Sequence, residues 1–172
     1  ETLFAKYETL KKFILNKGKK GVVISFSGGV DSSTLAAISY GILKNKVIAV
    51  TAVSEIYSSQ ELADAKRIAK NIGIKHVFIK TNELLNKKFI KNTENRCYYC
   101  KRELINALKK VAVKFNFKVI FEGTNFSDLT GHRPGYKAIL EDDNVYSPFV
   151  EAKITKEEVR ILAKELGLPI YN

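Results

Sequence analysis

The run Ser27-Gly28-Gly29-Val30-Asp31-Ser32 places two glycines, two flanking hydroxyls and one carboxylate within six positions. It follows an apolar, strand-like run over 21–26 and opens a strongly apolar helical segment over about 33–43. A glycine-rich turn between strand and helix lets backbone N–H groups crowd around an anion at the positive end of the helix dipole. The hydroxyls of Ser27 and Ser32 can donate further hydrogen bonds to phosphate oxygens. Asp31 would repel a phosphate unless a divalent cation stood between them, so the set points to Mg²⁺ with a polyphosphate. No lysine follows the glycines, which sets this loop apart from that of the common phosphate-binding NTPases.

A second block, Asn95-Arg96-Cys97-Tyr98-Tyr99-Cys100-Lys101-Arg102, holds both cysteines of the chain. Two thiols three apart at a helix start, among basic neighbours, ionise more readily than free cysteine. Such a pair suits redox chemistry, half of a zinc site, or two ligands of an iron–sulfur cluster; two structural thiols would look the same. A closed zinc site needs two more ligands, and of the two histidines, His76 and His132, the first falls within a strand. The third block is Glu122-Gly123-Thr124-Asn125-Phe126-Ser127-Asp128, followed by His132-Arg133-Pro134-Gly135. Gly123 lets backbone approach a ligand closely. Asn125 and Asp128 can hold hydroxyls or a metal, and the fork of Arg133 suits a carboxylate or phosphate. Lys156 and Arg160 stand one turn apart on a helix; a phosphate contact and a solvated charged face are equally good readings of them. Tyr98, Tyr99 and Tyr136 can stack on an aromatic ligand or simply pack.

The elements that must position these blocks alternate between strand and helix. Leu3, Tyr7, Leu10 and Ile14 mark an amphipathic first helix, 22–26 the first strand and 47–53 a second, apolar on both faces. Ser58-Ser59-Gln60-Glu61 is a capping-box signature, with Gly73 past the end of that helix. Strands follow at 76–80, 118–121 and 145–146, with a helix over about 99–115 and a last helix capped by Thr155. The fold class is therefore α/β: a parallel sheet of about five strands with helices on both faces, Rossmann-like, in one domain over 1–172. In open sheets of this kind, ligands bind beyond the carboxyl ends of the strands. Three of the four segments in that position carry the blocks above.

The 172 residues carry 29 Lys and Arg against 18 Asp and Glu, a net charge of +11. That favours an anionic partner, but the lysines occur in scattered pairs rather than in a basic arm with interleaved aromatics. A lysine-rich surface accounts for them without nucleic acid. No segment has the length and apolarity of a membrane span, and none has a signal-peptide pattern. Two cysteines in an otherwise cysteine-free chain fit a reducing, cytoplasmic setting.

The phosphate loop is that of the PP-loop ATP pyrophosphatases, which hold ATP by its β- and γ-phosphates and cleave at the α-phosphorus. Together with Thr51-Ala-Val-Ser54, Asn95-Arg-Cys-Tyr-Tyr-Cys-Lys101, Glu122-Gly-Thr-Asn125, Arg133-Pro-Gly-Tyr-Lys137 and Ser147-Pro-Phe-Val-Glu151, it resembles the LarE branch, the ATP-dependent sacrificial sulfur transferases. The resemblance runs from near residue 20 to the end of the chain. It implies adenylylation of a pyridinium-3,5-biscarboxylate mononucleotide with release of pyrophosphate, then sulfur transfer, for synthesis of a nickel-pincer cofactor. Residues Ser27, Gly28, Gly29, Asp31 and Ser32 would hold pyrophosphate and Mg²⁺, with Asp31 as the Mg²⁺ ligand. Ala52 to Ser54 would meet adenine, and Gly123 the ribose. Asp31, Ser32 and Arg133 become the candidate catalytic residues; Arg96, Asn125, Asp128 and Arg133 become candidates for the acceptor substrate. Family members take sulfur either from a cysteine just beyond the Gly-Leu-Pro segment or from a [4Fe–4S] cluster held by three cysteines. Cys97 and Cys100 could supply two such ligands. A further segment after Asn172 and a homo-oligomer are expected. The rival within the superfamily is a tRNA-thiolating enzyme; outside it, a non-catalytic nucleotide- or RNA-binding module.

Overall fold

The computed structural model describes residues 1–54, 58–81, 93–131 and 134–169, except the side chains of 93–97, 99 and 134. Helix α1 (Leu3–Gly18) starts at Thr2, whose hydroxyl accepts from the Ala5 N–H. Strand β1 (Val22–Ser25) leads through the glycine loop into α2 (Val30–Leu43), and a short 3₁₀ turn joins α2 to β2 (Val47–Val53). Helix α3 (Ser59–Ile72) opens with the expected reciprocal capping box of Ser58 and Glu61 and closes on Gly73, which takes the left-handed conformation at φ 89°. Then come β3 (Lys75–Lys80), α4 (Thr93–Phe115), β4 (Val119–Phe121), α5 (Pro134–Leu140), β5 (Val145–Tyr146), α6 (Pro148–Glu151) and α7 (Lys156–Glu165).

The five strands are all parallel, in the order β3-β2-β1-β4-β5. Successive strand residues point to opposite faces, so one sheet buries two cores. Val22, Ile24, Val47, Ala49, Val119 and Phe121 pack with α1, α2, α3 and α7 on one face. Val23, Ile48, Val50 and Ile120 pack with α4 and α5 on the other. The chain winds outward from β1 to β3 and then crosses back through α4 to β4 on the far side of β1. The reversal leaves a crevice at the carboxyl ends of β1 and β4, where the connecting segments diverge to opposite faces.

Beyond shifts of one to three residues at β1, α2, β3 and β4, and a short α6 with no expectation in the sequence, three segments differ from the sequence reading. Helix α4 begins at Thr93 rather than near Tyr99, because Thr93 to Arg96 contains no apolar residue from which a helical period could be read. Cys97 and Cys100 are thus the fifth and eighth residues of α4, past the first turn where a helix dipole acts, rather than at its start. The segment read as the Arg-Pro-Gly loop contains α5, with Pro134 at its first position, where its missing N–H costs nothing. The polar stretch after β4 folds as a 3₁₀ turn over Phe126–Leu129, held by a capping box between Asn125 and Asp128.

Candidate active site

At the crevice lies a cavity of about 300 Å³, lined by Phe26 to Ser27, Asp31 to Ser32, Thr51 to Ala52 and Glu122 to Thr124, with Asp128 and, from α4, Lys101. The loop entering it is folded around its own hydroxyls. Ser27 N–H donates to Ser32 Oγ at 3.1 Å, the two serine hydroxyls lie 3.2 Å apart, and Gly29 N–H donates to Ser27 Oγ at 3.3 Å. Gly28 sits at φ +84°, and a Cβ on it would stand 3.0 Å from the Cα of Ala65 on α3, so conformation and space both demand glycine. Gly29 caps α2 without any side-chain hydrogen bond. The N–H groups of that first turn therefore retain their need for an acceptor, and an anion can supply it.

The Asp31 carboxylate is held from two distant segments. Asn125 Nδ2 donates to Oδ1 at 3.1 Å, and Lys156 Nζ pairs with Oδ2 at 2.7 Å. Asn125 is fully buried, and its Oδ1 accepts from the Asp128 N–H while the Asp128 carboxylate accepts from the Asn125 N–H. Both ends of the Asn125 amide are thus engaged beneath Asp31, a positioning place. Lys156 is the first residue of α7; its N–H donates to Ser127 Oγ, and Phe126 N–H donates to the Ile154 carbonyl. These two bonds latch α7 to the 3₁₀ turn and deliver the ammonium to Asp31. Lys156 is thus neither a freely solvated charge nor, here, a phosphate contact: it is the ion-pair partner of Asp31.

Gly123 closes the other wall. A Cβ there would lie 3.1 Å from Ser32 N and 3.2 Å from Asp31 Cβ, so β4 abuts the first turn of α2. Beside it Glu122 is buried, accepting from the Thr124 N–H and hydroxyl and from the Ser147 hydroxyl. Tyr136 of α5 bonds to the same Ser147, and burial pushes its phenol above the usual range. Tyr98 donates to Glu141 at 2.6 Å, tying α4 to α5. On the opposite wall Ala52 lines the cavity, whereas Ser54 lies beyond the strand end with a buried hydroxyl. Arg133, His132, and the side chains of Arg96, Cys97 and Tyr99 lie outside the described residues.

The donor set decides which groups fit. Among the described residues, no cluster of three or more His, Cys, Asp or Glu could hold a metal by itself. Mg²⁺ asks for less: it keeps most of its water and takes one or two carboxylates plus substrate phosphates. Asp31 and Asp128 at the cavity meet that requirement. An iron–sulfur cluster asks for more than the two cysteines of this chain provide.

The sequence matches the NAD synthase family over residues 3–171. The chain belongs to that family. Members of the NAD synthase family share the PP-loop, here Ser27 to Ser32, as the sequence reading expected. A pyridinium-3,5-bisthiocarboxylic acid mononucleotide synthase from Lactiplantibacillus plantarum is 33% identical over 173 residues, covering 99% of this chain and 61% of its own length. An uncharacterized protein from Synechocystis sp. is 40% identical over 170 residues, again 99% of this chain and 62% of its own. The chain thus spans about three fifths of the length of the relatives it matches. Among solved structures, the NH₃-dependent NAD synthetase of Campylobacter jejuni superposes with a TM-score of 0.75 at 24% identity, over 98% of this chain and 75% of that one. That likeness shows the fold.

Two parts of this site have no local signal in the sequence. The Asp31–Lys156 pair joins residues 125 positions apart, which no local pattern encodes. Nor does any local pattern join Thr124 to Ser147, which β4 and β5 bring together onto Glu122. One signal was available: Asn125-x-x-Asp128 has the spacing of a capping box, like the two pairs at Ser58 and Thr155.

Proposed function

We propose that this chain activates a carboxylate with ATP and presents the activated carboxyl for sulfur transfer. The acceptor we infer is a pyridinium-3,5-biscarboxylate mononucleotide, the carboxylate counterpart of the product in the name of the L. plantarum relative. The observation that carries the reading is the convergence, at one cavity, of an uncapped helix N-terminus and the Asp31 carboxylate, with the Lys156 ammonium bonded to that carboxylate.

A carboxylate oxygen is a poor leaving group, so a carboxyl accepts sulfur only after that oxygen carries something better. In the proposed reaction the carboxylate attacks the α-phosphorus of ATP, the bond to the bridging oxygen breaks, and pyrophosphate leaves. The first turn of α2 and the hydroxyls of Ser27 and Ser32 take the β- and γ-phosphates. Lys156 exchanges its bond to Asp31 for phosphate oxygens, which frees the Asp31 carboxylate. Mg²⁺, held by Asp31 with Asp128, would neutralise phosphate charge and draw electron density from the phosphorus. Catalysis is then mostly positioning and electrostatic stabilisation. A sulfur nucleophile next attacks the carbonyl carbon, and AMP leaves with the former carboxylate oxygen. Ala52 and Gly123 would flank adenine and ribose; Ser54, past the strand end, stays a proposal for the same side. Arg96 and Arg133 are proposed to hold the acceptor's anionic groups, and Ser32 and Arg133 to act at the reacting phosphate. Asn125 serves by fixing Asp31. Nickel-pincer cofactor synthesis is the pathway proposed for the product.

The test is pyrophosphate release from MgATP with and without this acceptor, with Asp31→Ala as control. Release that needs the acceptor and falls by about 10²–10³-fold in the variant supports the reading. Release driven by bulk tRNA instead would move the chain to the RNA-modifying branch, and silence with both would leave a binding module.

A further inference from the structure

The phosphate loop is joined to the edge of the sheet by a chain of hydrogen bonds that no ligand-contacting role explains. Thr51 Oγ1 lies 2.7 Å from the Phe26 carbonyl oxygen and 2.7 Å from His76 Nε2. A carbonyl oxygen can only accept, so the single hydroxyl proton of Thr51 points at Phe26. The hydroxyl oxygen must then accept from His76, which fixes the ring proton on Nε2. Phe26 is the residue immediately before the loop. The N–H of the same peptide unit, that of Ser27, donates to Ser32 Oγ at 3.1 Å, and this oxygen lies 3.2 Å from Ser27 Oγ. A bond accepted at a carbonyl polarises the whole amide and strengthens what its N–H donates.

The imidazole is held for this task. It stands edge-on to Phe26, with ring centroids 5.3 Å apart, and tilted against Phe78 at 4.5 Å. It sits on β3, in register with Ala49 of β2 and one strand removed from the loop. Half burial, with Lys66 of α3 nearby, lowers its basicity below the usual imidazole range and keeps the ring neutral.

We infer that His76 is a positioning residue for nucleotide binding, acting through Thr51 to orient the Phe26–Ser27 peptide on which the phosphate loop is built. This rests on the reading of Ser27 to Ser32 as the polyphosphate site. MgATP affinity by calorimetry, with the melting temperature followed in parallel, tests it on four proteins: wild type, Thr51→Val, His76→Leu and His76→Gln. Valine keeps the shape of threonine without the hydroxyl; glutamine places an N–H donor near the position of Nε2, and leucine removes it. Thr51→Val and His76→Leu are expected to weaken MgATP binding about 5–20-fold, the cost of one to two hydrogen bonds. His76→Gln is expected within about 2-fold of wild type, a rescue that a loss of packing alone would not give. Wild-type affinity in Thr51→Val and His76→Leu overturns the inference, as does equal weakening in His76→Gln and His76→Leu. No binding by wild type itself would instead remove the polyphosphate reading on which the inference stands.

Discussion

Asp31 is held by an amide from one side and an ammonium from the other, and the two holders come from segments that follow β4 and β5. The loop motif therefore depends on the second half of the chain for its geometry. Lys156→Ala should lower pyrophosphate release by at least 10-fold and raise KM for MgATP, because it removes the proposed phosphate contact while leaving α7 capped by Thr155. Steady-state kinetics would check this, and unchanged kinetics would leave Lys156 as the ion-pair partner of Asp31 with no part in phosphate binding. Gly28→Ala faces both a left-handed backbone and the Ala65 backbone, so it should cost about 1–3 kcal/mol in urea unfolding as well as activity. At this scale the sequence was informative where chemistry is local. Six adjacent residues announced the loop, but the engaged state of Asn125 and the partner of Asp31 are products of tertiary contact.

Helix α7 carries Lys156, and α1 clamps α7 in place. Lys6 of α1 pairs with Glu158 of α7 at 2.8 Å, with side chains only 15% and 18% exposed. Burial alone would raise the Glu158 carboxyl, but the bond from Lys6 and those from Thr155 outweigh it and hold it below the ordinary glutamate range. A carboxyl depressed in the folded state stabilises above its unfolded value, and that contribution disappears as pH falls through the folded one. Glu158→Gln keeps the capping geometry and removes the charge, so it should cost about 1 kcal/mol at pH 7. The gap to wild type should close as the pH falls through and below the glutamate range, read from urea midpoints. A gap independent of pH would mean the loss is steric. Capping boxes and β-branched runs made most elements legible. Where a helix opens on polar residues, as α4 does, or on Pro-Gly, as α5 does, apolar periodicity has nothing to mark.

The described residues form one sheet with a core on each face, and the central strands β1, β2 and β4 contribute to both. Neither face can open without the other losing its backing, so unfolding should be a single transition. Phe121 of β4, fully buried with its ring beside Phe13 of α1, is a point to probe it: Phe121→Ala should lower stability by about 3–5 kcal/mol with an unchanged denaturant slope. The net charge of +11 is spread over many lysines, and several of them are already committed to carboxylates or aromatic faces. Alternation of strand and helix was enough to foretell the parallel sheet. Its strand order was not legible, because the crossover from β3 to β4 is decided by which faces the helices cover. The central claim is that a carboxylate oxygen attacks the α-phosphorus of ATP. Supplying the pyridinium biscarboxylate mononucleotide with ¹⁸O in its carboxylates, and weighing the AMP formed, tests it most directly. The account predicts one labelled oxygen in each AMP, carried over when the acyl adenylate is opened at its carbonyl carbon. AMP free of label would mean that water, not the carboxylate, attacks the phosphorus, and would contradict it.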